Sequence, residues 1–469
     1  MEYGGDLRSF LFVVALIVMF AVPSTATAWN GERTPMAVPD APGPAKYNRI
    51  WLRKYGASTA RTILVLVPGS PSGQSTFSSL ASELVELVPG LGVWTVDRRG
   101  NAFEDTFGFE LNDPTAALGY YSTLLPIQGH QFAPIQDSGA PFVRKWGLRV
   151  EAQDVHRVVV AARAGGRRRV VLGGHSMGAS FVPAYAAWDF SGRAGYKDLS
   201  GLVLIDGGLL GTWKGAVEGT SYWPPFTTVA QAKARLAVLG RNTPFAFAGT
   251  PLGLPLWTVG VAPELACQYA LADPNAPSVL HFLTSFIPPG LIPPGTLPSF
   301  PVTNEAFLGF LLTHTQAVPA LHVRVGTLAG TGDPRPWVNG PYSSVPVACA
   351  AFAQEPGNAM EWYYPGRLDI DLMRGAQSLR DTPVARYLGL RLRHLRQITT
   401  PLYVFETSLS QGGVFTGARR LLRESKIRRS RLVSDLEMGH LDPLLDFPAQ
   451  NKFIQTVVPF LQGIVRTAH

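Results

Sequence analysis

Hydrophobic positions in this chain form short, nearly unbroken runs that alternate with stretches of helical spacing. The unbroken runs predict strands buried on both faces, because such strands have no polar face to alternate with. The strand candidates are 48–55, 62–67, 93–96, 202–205, 402–405 and 432–433. The helix candidates are 80–88, 153–163 and 449–465. This alternation predicts an α/β fold with a mostly parallel central sheet and helices on both faces.

Two regions interrupt this alternation. Residues 101–150 carry many aromatic residues, glycines and prolines, and we interpret them as an irregular excursion over the carboxyl edge of the sheet. Residues 209–395 are too many for an ordinary connection, so we predict a cap or lid insertion there. The expected organisation is a first core part at 29–208, the insertion at 209–395, and a second core part at 396–469.

The amino terminus has the features of an export signal. An apolar run at 10–22 precedes Ala26-x-Ala28, a small-residue cleavage pattern. The run is shorter than the roughly 18 residues that a membrane-spanning helix needs, although an uncleaved anchor is the alternative. We therefore predict a signal peptide at 1–28, a mature chain that starts near Trp29, and an extracellular or periplasmic protein.

The chain contains two cysteines, Cys267 and Cys349, both inside the expected insertion. For an exported protein an even pair indicates a disulfide, and two buried thiols are the alternative, because cysteine packs well as a small hydrophobic residue. Neither cysteine has the spacing of a metal site.

The formal charge is +8, and much of the excess lies in one segment. Without residues 1–28, which hold two acidic residues and one arginine, the charge becomes +9. The segment Arg419–Arg431 carries seven basic residues against Glu424. It could contact an anionic surface, but a solvated helix face is the favoured interpretation. No nucleic-acid partner is expected, since no binding motif or row of aromatic residues accompanies these charges.

The motif Gly174-x-Ser176-x-Gly178 follows a β-branched run at 169–172 and precedes a helix-like stretch at 179–189. With 48 glycines among 469 residues, chance alone supplies about a third of one such match, so the context gives the motif its weight. A serine on a sharp turn from strand to helix is a pre-positioned nucleophile, and the flanking glycines permit the turn.

A base must activate such a serine, because a hydroxyl is a weak nucleophile until its proton is removed. His440, in the pair Gly439-His440, is the expected general base, since imidazole titrates near neutrality. His175 adjoins Ser176, but a residue beside the elbow serine points away from it, so we interpret His175 as a packing residue. The remaining histidines lack a metal-ligand pattern, and we expect no cofactor and no metal.

These features together resemble the α/β-hydrolase superfamily, in which nucleophile, acid and histidine occur in that order along the chain. Residues 68–71, Pro-Gly-Ser-Pro, are similar to the His-Gly-x-Pro loop of that superfamily, with Pro68 in place of the histidine. Residues 97–100, Asp-Arg-Arg-Gly, are similar to its Asp-x-Arg-Gly turn. The resemblance covers about 60–200 and 400–469, while most of the insertion matches no family that we recognise.

The resemblance implies an oxyanion hole made of two backbone N–H groups, those of Ser70 and Met177. It also places the triad acid several residues beyond the strand that begins at Pro401, where this chain has Ser410 instead. Two carboxylates remain as candidates. Asp206 ends the strand after that of the nucleophile, as in some lipases of the superfamily, and Glu406 ends the next strand. We favour Asp206, and a purely structural Asp206 is the alternative.

The function predicted from these residues is that of a secreted serine hydrolase that cleaves an apolar ester through an acyl-enzyme on Ser176. An acyltransferase would use the same acyl-enzyme with a different acceptor. A non-catalytic binding protein on a hydrolase scaffold is the third possibility, disfavoured because serine, histidine and elbow glycines are all present. A serine nucleophile also argues against dehalogenation and epoxide opening, which use an aspartate.

Overall fold

The computed structural model describes residues 28–467 apart from 124–125, 217–223, 242, 247–255, 285–294, 296, 315–318 and 353–359. The apolar run at 10–22, and with it the predicted signal peptide up to residue 27, lies outside the described residues. None of the helices within the described part is long and apolar enough to cross a membrane.

An eight-stranded sheet forms the centre of the protein. We number its strands in chain order, and their spatial order is β1-β2-β4-β3-β5-β6-β7-β8. The two pairs β1/β2 and β2/β4 are antiparallel, whereas every pair from β4 to β8 is parallel. The strands are β1 Ala28–Ala37, β2 Arg49–Ala57, β3 Thr62–Val67, β4 Leu91–Asp97, β5 Arg169–His175, β6 Gly201–Ile205, β7 Leu402–Glu406 and β8 Ser430–Ser434.

Both faces of this sheet are covered, as the unbroken apolar runs predict. Along β3, Ile63 and Val65 belong to one hydrophobic cluster, whereas Leu64 and Leu66 belong to another on the opposite face. All six residues of β3 are buried. Successive side chains of a strand point to opposite faces, so a strand between two cores must be apolar at every position. The predicted fold class is therefore confirmed.

Fifteen α-helices occur in the described residues. They are α1 Ser78–Leu87, α2 Phe107–Glu110, α3 Pro114–Thr123, α4 Leu148–Arg163, α5 Met177–Ala187, α6 Val229–Arg241, α7 Leu256–Ala272, α8 Val279–Thr284, α9 Asn304–His314, α10 Val345–Phe352, α11 Gly366–Ile370, α12 Pro383–Leu388, α13 Gly413–Glu424, α14 Asp442–Leu445 and α15 Lys452–Arg466.

The two interruptions of the sequence pattern pack against each other. The 101–150 region contains α2 and α3, which its composition does not predict, and the described part of 209–395 contains α6 to α12. An aromatic cluster joins the two regions, with Tyr121 of α3 and Phe132 each contacting the ring of Trp362. The boundaries of the insertion remain a prediction.

The disulfide predicted from the cysteine pair is not formed in this structure. Cys267 in α7 and Cys349 in α10 are free, fully buried thiols. They are neighbours, with the Cys349 sulfur 3.9 Å from the Cys267 carbonyl oxygen. Both pack among apolar residues of one hydrophobic cluster, which is the alternative that cysteine burial allows.

Candidate active site

Ser176 occupies the sharp turn between β5 and α5. Its φ of 56° and ψ of −120° are unusual for a residue other than glycine. The turn is anchored to the neighbouring strand, because the Ser176 N–H donates to the carbonyl oxygen of Ile205 at 2.9 Å. The Ser176 residue is half-buried. Ser176 thus has a strained backbone conformation directly after a central strand, as in a nucleophile elbow.

The glycines around Ser176 are required by close backbone approaches. A Cβ atom at Gly178 would lie 2.0 Å from the carbonyl oxygen of Val67, and one at Gly174 would lie 2.3 Å from the backbone of Gly178. At Gly207, a Cβ atom would lie 2.2 Å from the Ser176 carbonyl oxygen. The turn therefore fits only if these positions have no side chain.

Asp206 and His440 form a buried pair at the same edge of the sheet. The Nδ1 atom of His440 lies 2.5 Å from the Oδ2 atom of Asp206, so the imidazole donates to the carboxylate. Asp206 directly follows β6 with a φ of 43°, a left-handed conformation that aspartate tolerates better than most residues. The neutral imidazole then keeps Nε2 unprotonated, as a general base requires.

Thr407 completes the binding of the Asp206 carboxylate. Its N–H donates to Oδ1 of Asp206 at 2.9 Å, and its hydroxyl donates to Oδ2. Burial by itself raises the pKa of Asp206, but the hydrogen bonds and charge of His440 and the bonds from Thr407 outweigh it and lower the pKa below its usual value. Asp206 is therefore charged and available to stabilise an imidazolium.

Glu406, the other candidate acid, is used elsewhere. Its Oε1 atom accepts hydrogen bonds from the Ser410 hydroxyl at 2.9 Å and from the N–H groups of Val414 and Phe415 at 2.9 and 3.2 Å. These two N–H groups lie in the first turn of α13, where backbone donors have no partner within the helix. The structure thus brings Asp206 to His440 and places Glu406 at a helix amino terminus.

His175 contributes more than packing. Its Nε2 atom lies 2.8 Å from the carbonyl oxygen of His440, to which it donates, and the two rings are 4.3 Å apart. Burial, together with the neighbouring His440, lowers the pKa of His175 to about 3, so its ring is neutral. From the other side, the His440 N–H donates to the carbonyl oxygen of Ala320 at 2.6 Å. The backbone of His440 is therefore bound at both of its polar groups.

The loop after β3 lies against Ser176. A Cβ atom at Gly69 would be 2.9 Å from Cβ and 3.5 Å from Oγ of Ser176, so this backbone passes directly beside the hydroxyl. Ser70 follows in that loop, and Met177 is the first residue of α5. The structure thus brings the backbone that precedes Ser70 beside the serine, while Met177 follows the serine directly. The N–H of a residue at the start of a helix has no intrahelical partner and is free to bind an oxyanion.

Apolar side chains cover His440. Trp213, Ala320 and Leu409 form a small buried cluster, and the Trp213 ring lies 6.4 Å from the imidazole in an edge-on orientation. The Trp213 indole N–H donates to the Ser180 hydroxyl at 3.2 Å, which fixes the ring. The imidazole thus has an apolar ring on one side, in addition to the polar contacts with Asp206 and the ring of His175.

The chain is similar to several solved structures, all at low sequence identity. A protein assigned as a lipase from Sulfolobus solfataricus is 15% identical, with 94% of this chain and 97% of that chain covered and a TM-score of 0.47. Epoxide Hydrolase A from Mycobacterium thermoresistibile is 15% identical, with 93% and 98% covered and a TM-score of 0.41. A soluble variant of monoglyceride lipase from Saccharomyces cerevisiae is 12% identical, with 96% and 98% covered and a TM-score of 0.38.

No protein-family model and no curated protein matches the chain. The chain has the α/β-hydrolase fold: a mostly parallel sheet whose central strand ends in a serine elbow, followed along the chain by an acid and then a histidine. Sequence reasoning missed Thr407 and the hydrogen bond of His175, since neither residue belongs to a motif.

Proposed function

We propose that the protein is an exported serine hydrolase that cleaves carboxylic esters through an acyl-enzyme on Ser176. The observation that carries the proposal is the buried hydrogen bond of 2.5 Å between His440 Nδ1 and Asp206 Oδ2, at the edge of the sheet where Ser176 occupies its strained turn. A base held by a charged carboxylate, at the same edge of the sheet as a pre-positioned hydroxyl, supports nucleophilic acyl transfer.

In the first half-reaction, Ser176 Oγ attacks the ester carbonyl carbon while His440 Nε2 takes its proton. The carbonyl π electrons move to the oxygen, and the N–H groups of Ser70 and Met177 bind the resulting oxyanion. When the carbonyl re-forms, the bond to the alkoxy group breaks, and the proton on His440 passes to the departing alcohol. Asp206 remains a carboxylate and stabilises the transient imidazolium.

In the second half-reaction, water replaces the alcohol. His440 removes a proton from the water as it attacks the acyl-enzyme, and the same N–H groups bind the second oxyanion. Collapse releases the carboxylic acid and returns the proton to Ser176. The apolar cluster around His440 favours an apolar acyl or alcohol group in the substrate.

Labelling with a fluorophosphonate probe, followed by intact mass measurement, tests the proposal. The wild type should gain one phosphonyl adduct, and Ser176→Ala should gain none. Equal labelling of both proteins would assign the nucleophile elsewhere, and no labelling of either would support a binding protein without catalysis. A panel of esters of increasing chain length then measures the preference for apolar groups, and an added alcohol acceptor separates hydrolysis from acyl transfer.

Export is tested separately. The signal-like run at 10–22 and Ala26-x-Ala28 support cleavage after Ala28, which would leave all but the first residue of β1 in the mature protein. Amino-terminal sequencing of secreted protein should therefore begin near Trp29. A chain that still begins at Met1 in a membrane fraction would contradict export by this route.

A further inference from the structure

The backbone of the loop after β3 is held by one buried guanidinium group. Arg98, 4% exposed, donates through Nη2 to the carbonyl oxygen of Pro68 at 2.5 Å. Its Nη1 donates to the carbonyl oxygens of Gly69 and Ser72, both at 3.2 Å. These three carbonyl groups lie on either side of Ser70, whose N–H is an oxyanion donor in the proposed function.

Two carboxyl groups hold Arg98 itself. Its Nε donates to Oε1 of Glu151 in α4 at 3.0 Å, and its Nη1 donates to Oε2 of Glu361 at 3.0 Å. Glu361 also binds the loop directly, because its own N–H donates to the carbonyl oxygen of Pro71 at 3.1 Å. The 68–72 loop is thus enclosed between Arg98, which directly follows β4, and a segment of the expected insertion.

We propose that Arg98 is a positioning residue that sets the direction of the Ser70 N–H. This inference rests on the proposed function and deepens it. An oxyanion donor is effective only when its position is set before charge develops, and small displacements are costly. A planar guanidinium with several fixed donors can bind three carbonyl oxygens and two carboxyl groups together, whereas an ammonium group has only three donors on a flexible stem.

Arg99 offers a matched control in the next position. It is 3% exposed and pairs with Asp154 of the same helix α4, at 2.6 Å through Nε and 2.7 Å through Nη2. Its other donors go to Asn48 and to the carbonyl oxygens of Tyr47 and Pro39, all in the segment between β1 and β2. Arg99 therefore resembles Arg98 in burial and ion pairing but does not touch the loop beside Ser176.

The test compares Arg98→Lys with Arg99→Lys in the full chain. Arg98→Lys should lower kcat about 10- to 100-fold with KM changed less than about two-fold, because the donor acts mainly on the transition state. Affinity for a trifluoromethyl ketone, which forms a tetrahedral adduct, should fall in the same proportion. Arg99→Lys should lose about as much thermal stability as Arg98→Lys. Its kcat and its affinity for the ketone should stay within about two-fold of wild type.

Several outcomes would overturn the role of Arg98. An unchanged kcat in Arg98→Lys would do so, and so would equal kcat losses in both variants. If Arg98→Lys does not fold, Glu361→Gln replaces it, because this substitution keeps the side-chain shape and one acceptor oxygen for Arg98. We expect Glu361→Gln to lower kcat less than Arg98→Lys, at constant KM. An unchanged kcat in Glu361→Gln would overturn the proposal. Failure of the proposed function is distinguishable, because it appears as a wild type without esterase activity or as activity that survives Ser176→Ala.

A second, independent observation concerns the distribution of charge. The chain has 41 basic and 33 acidic residues, of which 12 and 3 lie in 380–431, leaving 29 and 30 in the remainder. The whole positive excess therefore belongs to this one segment. Within the described part of the chain, its residues Lys426, Arg428, Arg429 and Arg431 are exposed and form no ion pair with a carboxylate.

The fold adds more arginines to the same edge of the sheet. Arg428 and Arg429 precede β8, just as Arg61 precedes β3 and Arg168 precedes β5. These strands run parallel, with Thr62 opposite Arg169, so their amino ends point to one edge of the sheet. Strand β8 starts three residues farther along, because Ser430 is level with Leu172 of β5 through β7 and β6. The catalytic residues follow the carboxyl ends of the strands. The arginines and the active site thus lie at opposite edges, about 20 Å apart for strands of five to seven residues.

We infer that this amino-end edge docks on an anionic phospholipid bilayer. The edge carries Arg61, Arg168, Arg428 and Arg429, a charge complementary to anionic lipid head groups. Each basic residue near an anionic membrane adds to the attraction. Because the active site is at the other edge, docking in this way leaves it open to solvent.

Sedimentation with vesicles tests this surface. Wild type should bind vesicles of phosphatidylcholine with about 30 mol% phosphatidylglycerol at about 0.1 M NaCl, and release them at about 0.5 M. The double variant Arg428→Glu/Arg429→Glu should bind at least about ten-fold more weakly. The control Lys214→Glu/Lys452→Glu has the same net charge, but both lysines are exposed and lie toward the catalytic edge. Its affinity should therefore stay within about three-fold of wild type.

An equal loss of vesicle affinity in the two double variants would show that only the net charge of the protein matters. That result would overturn the assignment of this edge as the docking surface. Binding to heparin without binding to anionic vesicles would overturn the bilayer and indicate a soluble polyanion. Equal binding to pure phosphatidylcholine vesicles would exclude an electrostatic contact.

Discussion

At the scale of single residues, the Asp206 carboxylate is the most completely bound group of the site. Both of its oxygens accept hydrogen bonds, from the Thr407 N–H, the Thr407 hydroxyl and His440 Nδ1. These donors favour the charged form, which is why the pKa falls despite full burial. A charged, fixed carboxylate selects one tautomer of His440 and one orientation of its ring.

Replacing Asp206 with Asn should lower kcat by about 10² to 10⁴. The amide can donate to Nδ1, which stabilises the wrong tautomer, and it cannot compensate a charged imidazole. Steady-state kinetics measures the effect, with thermal melting to confirm that the variant is folded. A folded Asp206→Asn enzyme with nearly normal kcat would rule out this carboxylate as the partner of His440.

The pH profile should depend on His440 and not on His175. His440 must be neutral to accept the Ser176 proton, so kcat/KM should be higher in neutral than in acidic buffer. His175, with a pKa of about 3, is neutral throughout the range in which enzymes of this kind are assayed. His175→Leu should therefore lower activity through the lost bond to His440 while the midpoint of the rising limb stays unchanged. If the rise of kcat/KM with pH disappears in His175→Leu, His175 and not His440 causes that rise.

At the scale of elements, Glu406 joins the end of β7 to the start of α13. Its carboxyl group accepts from two N–H groups in the first turn of the helix, where a negative charge also interacts favourably with the helix dipole. The same carboxyl group accepts from Ser410, which stands where the superfamily usually has its acid. The segment after β7 therefore starts a helix, whereas the carboxylate that contacts His440 follows β6.

Glu406→Gln should destabilise the protein by about 1 kcal/mol, because the amide keeps one acceptor oxygen but loses the charge at the helix terminus. Its kcat should stay within about two-fold of wild type. Urea unfolding measures the first quantity and steady-state kinetics the second. The assignment of roles would be reversed if Glu406→Gln were crippled in a protein of normal stability.

At the scale of the whole molecule, residues from the expected insertion bind the backbone at the edge of the sheet that carries Ser176 and His440. Ala320 binds the His440 backbone, and Glu361 binds both Arg98 and the 68–72 loop. Glu361 lies near Glu151, with Arg98 between them as the shared cation. Burying two acidic groups around one arginine costs stability when both are ionised.

This cluster predicts a pH-dependent stability. Burial raises the pKa of Glu361 to about 8, although the charge of Arg98 acts in the opposite direction. Between about pH 4.5 and pH 8 the unfolded chain ionises this group more readily than the folded protein, so the group's contribution to stability is lost as pH rises. Glu361→Gln cannot ionise, and its free energy of unfolding relative to wild type should increase from pH 5 to pH 8. Urea unfolding measures this difference in free energy, and a difference that stays constant or decreases from pH 5 to pH 8 would contradict the prediction.

The two cysteines provide another measurement on the whole molecule. Because Cys267 and Cys349 are buried and burial raises the pKa of the Cys267 thiol, neither should react with a thiol reagent in the folded protein. After unfolding without reductant, two thiols per chain should be titrated. If no thiol were titrated, the two cysteines would form the disulfide that the sequence pattern predicts.

Local patterns in the chain were sufficient for strands β2 to β8, for the helices α1, α4, α5 and α15 and for the serine elbow, but not for α6 and α7 in the insertion. The run at 62–67 becomes β3 with the same bounds, since a strand between two apolar layers must be apolar throughout. The strand β1 was missed because its residues alternate irregularly with charged ones at the antiparallel edge. Ser176 was predictable because the glycines that its turn requires are neighbours in the chain.

Contacts between distant residues could be decided only by the tertiary structure. The sequence alone left Asp206 and Glu406 open, because both end strands, and the choice depends on which carboxylate the fold brings to His440, 234 positions from Asp206. The state of the cysteines and the contacts of Arg98 with Glu361 depend likewise on long-range packing. A local pattern records the periodicity of one element, whereas such pairings result from how elements pack against each other, which no short segment encodes.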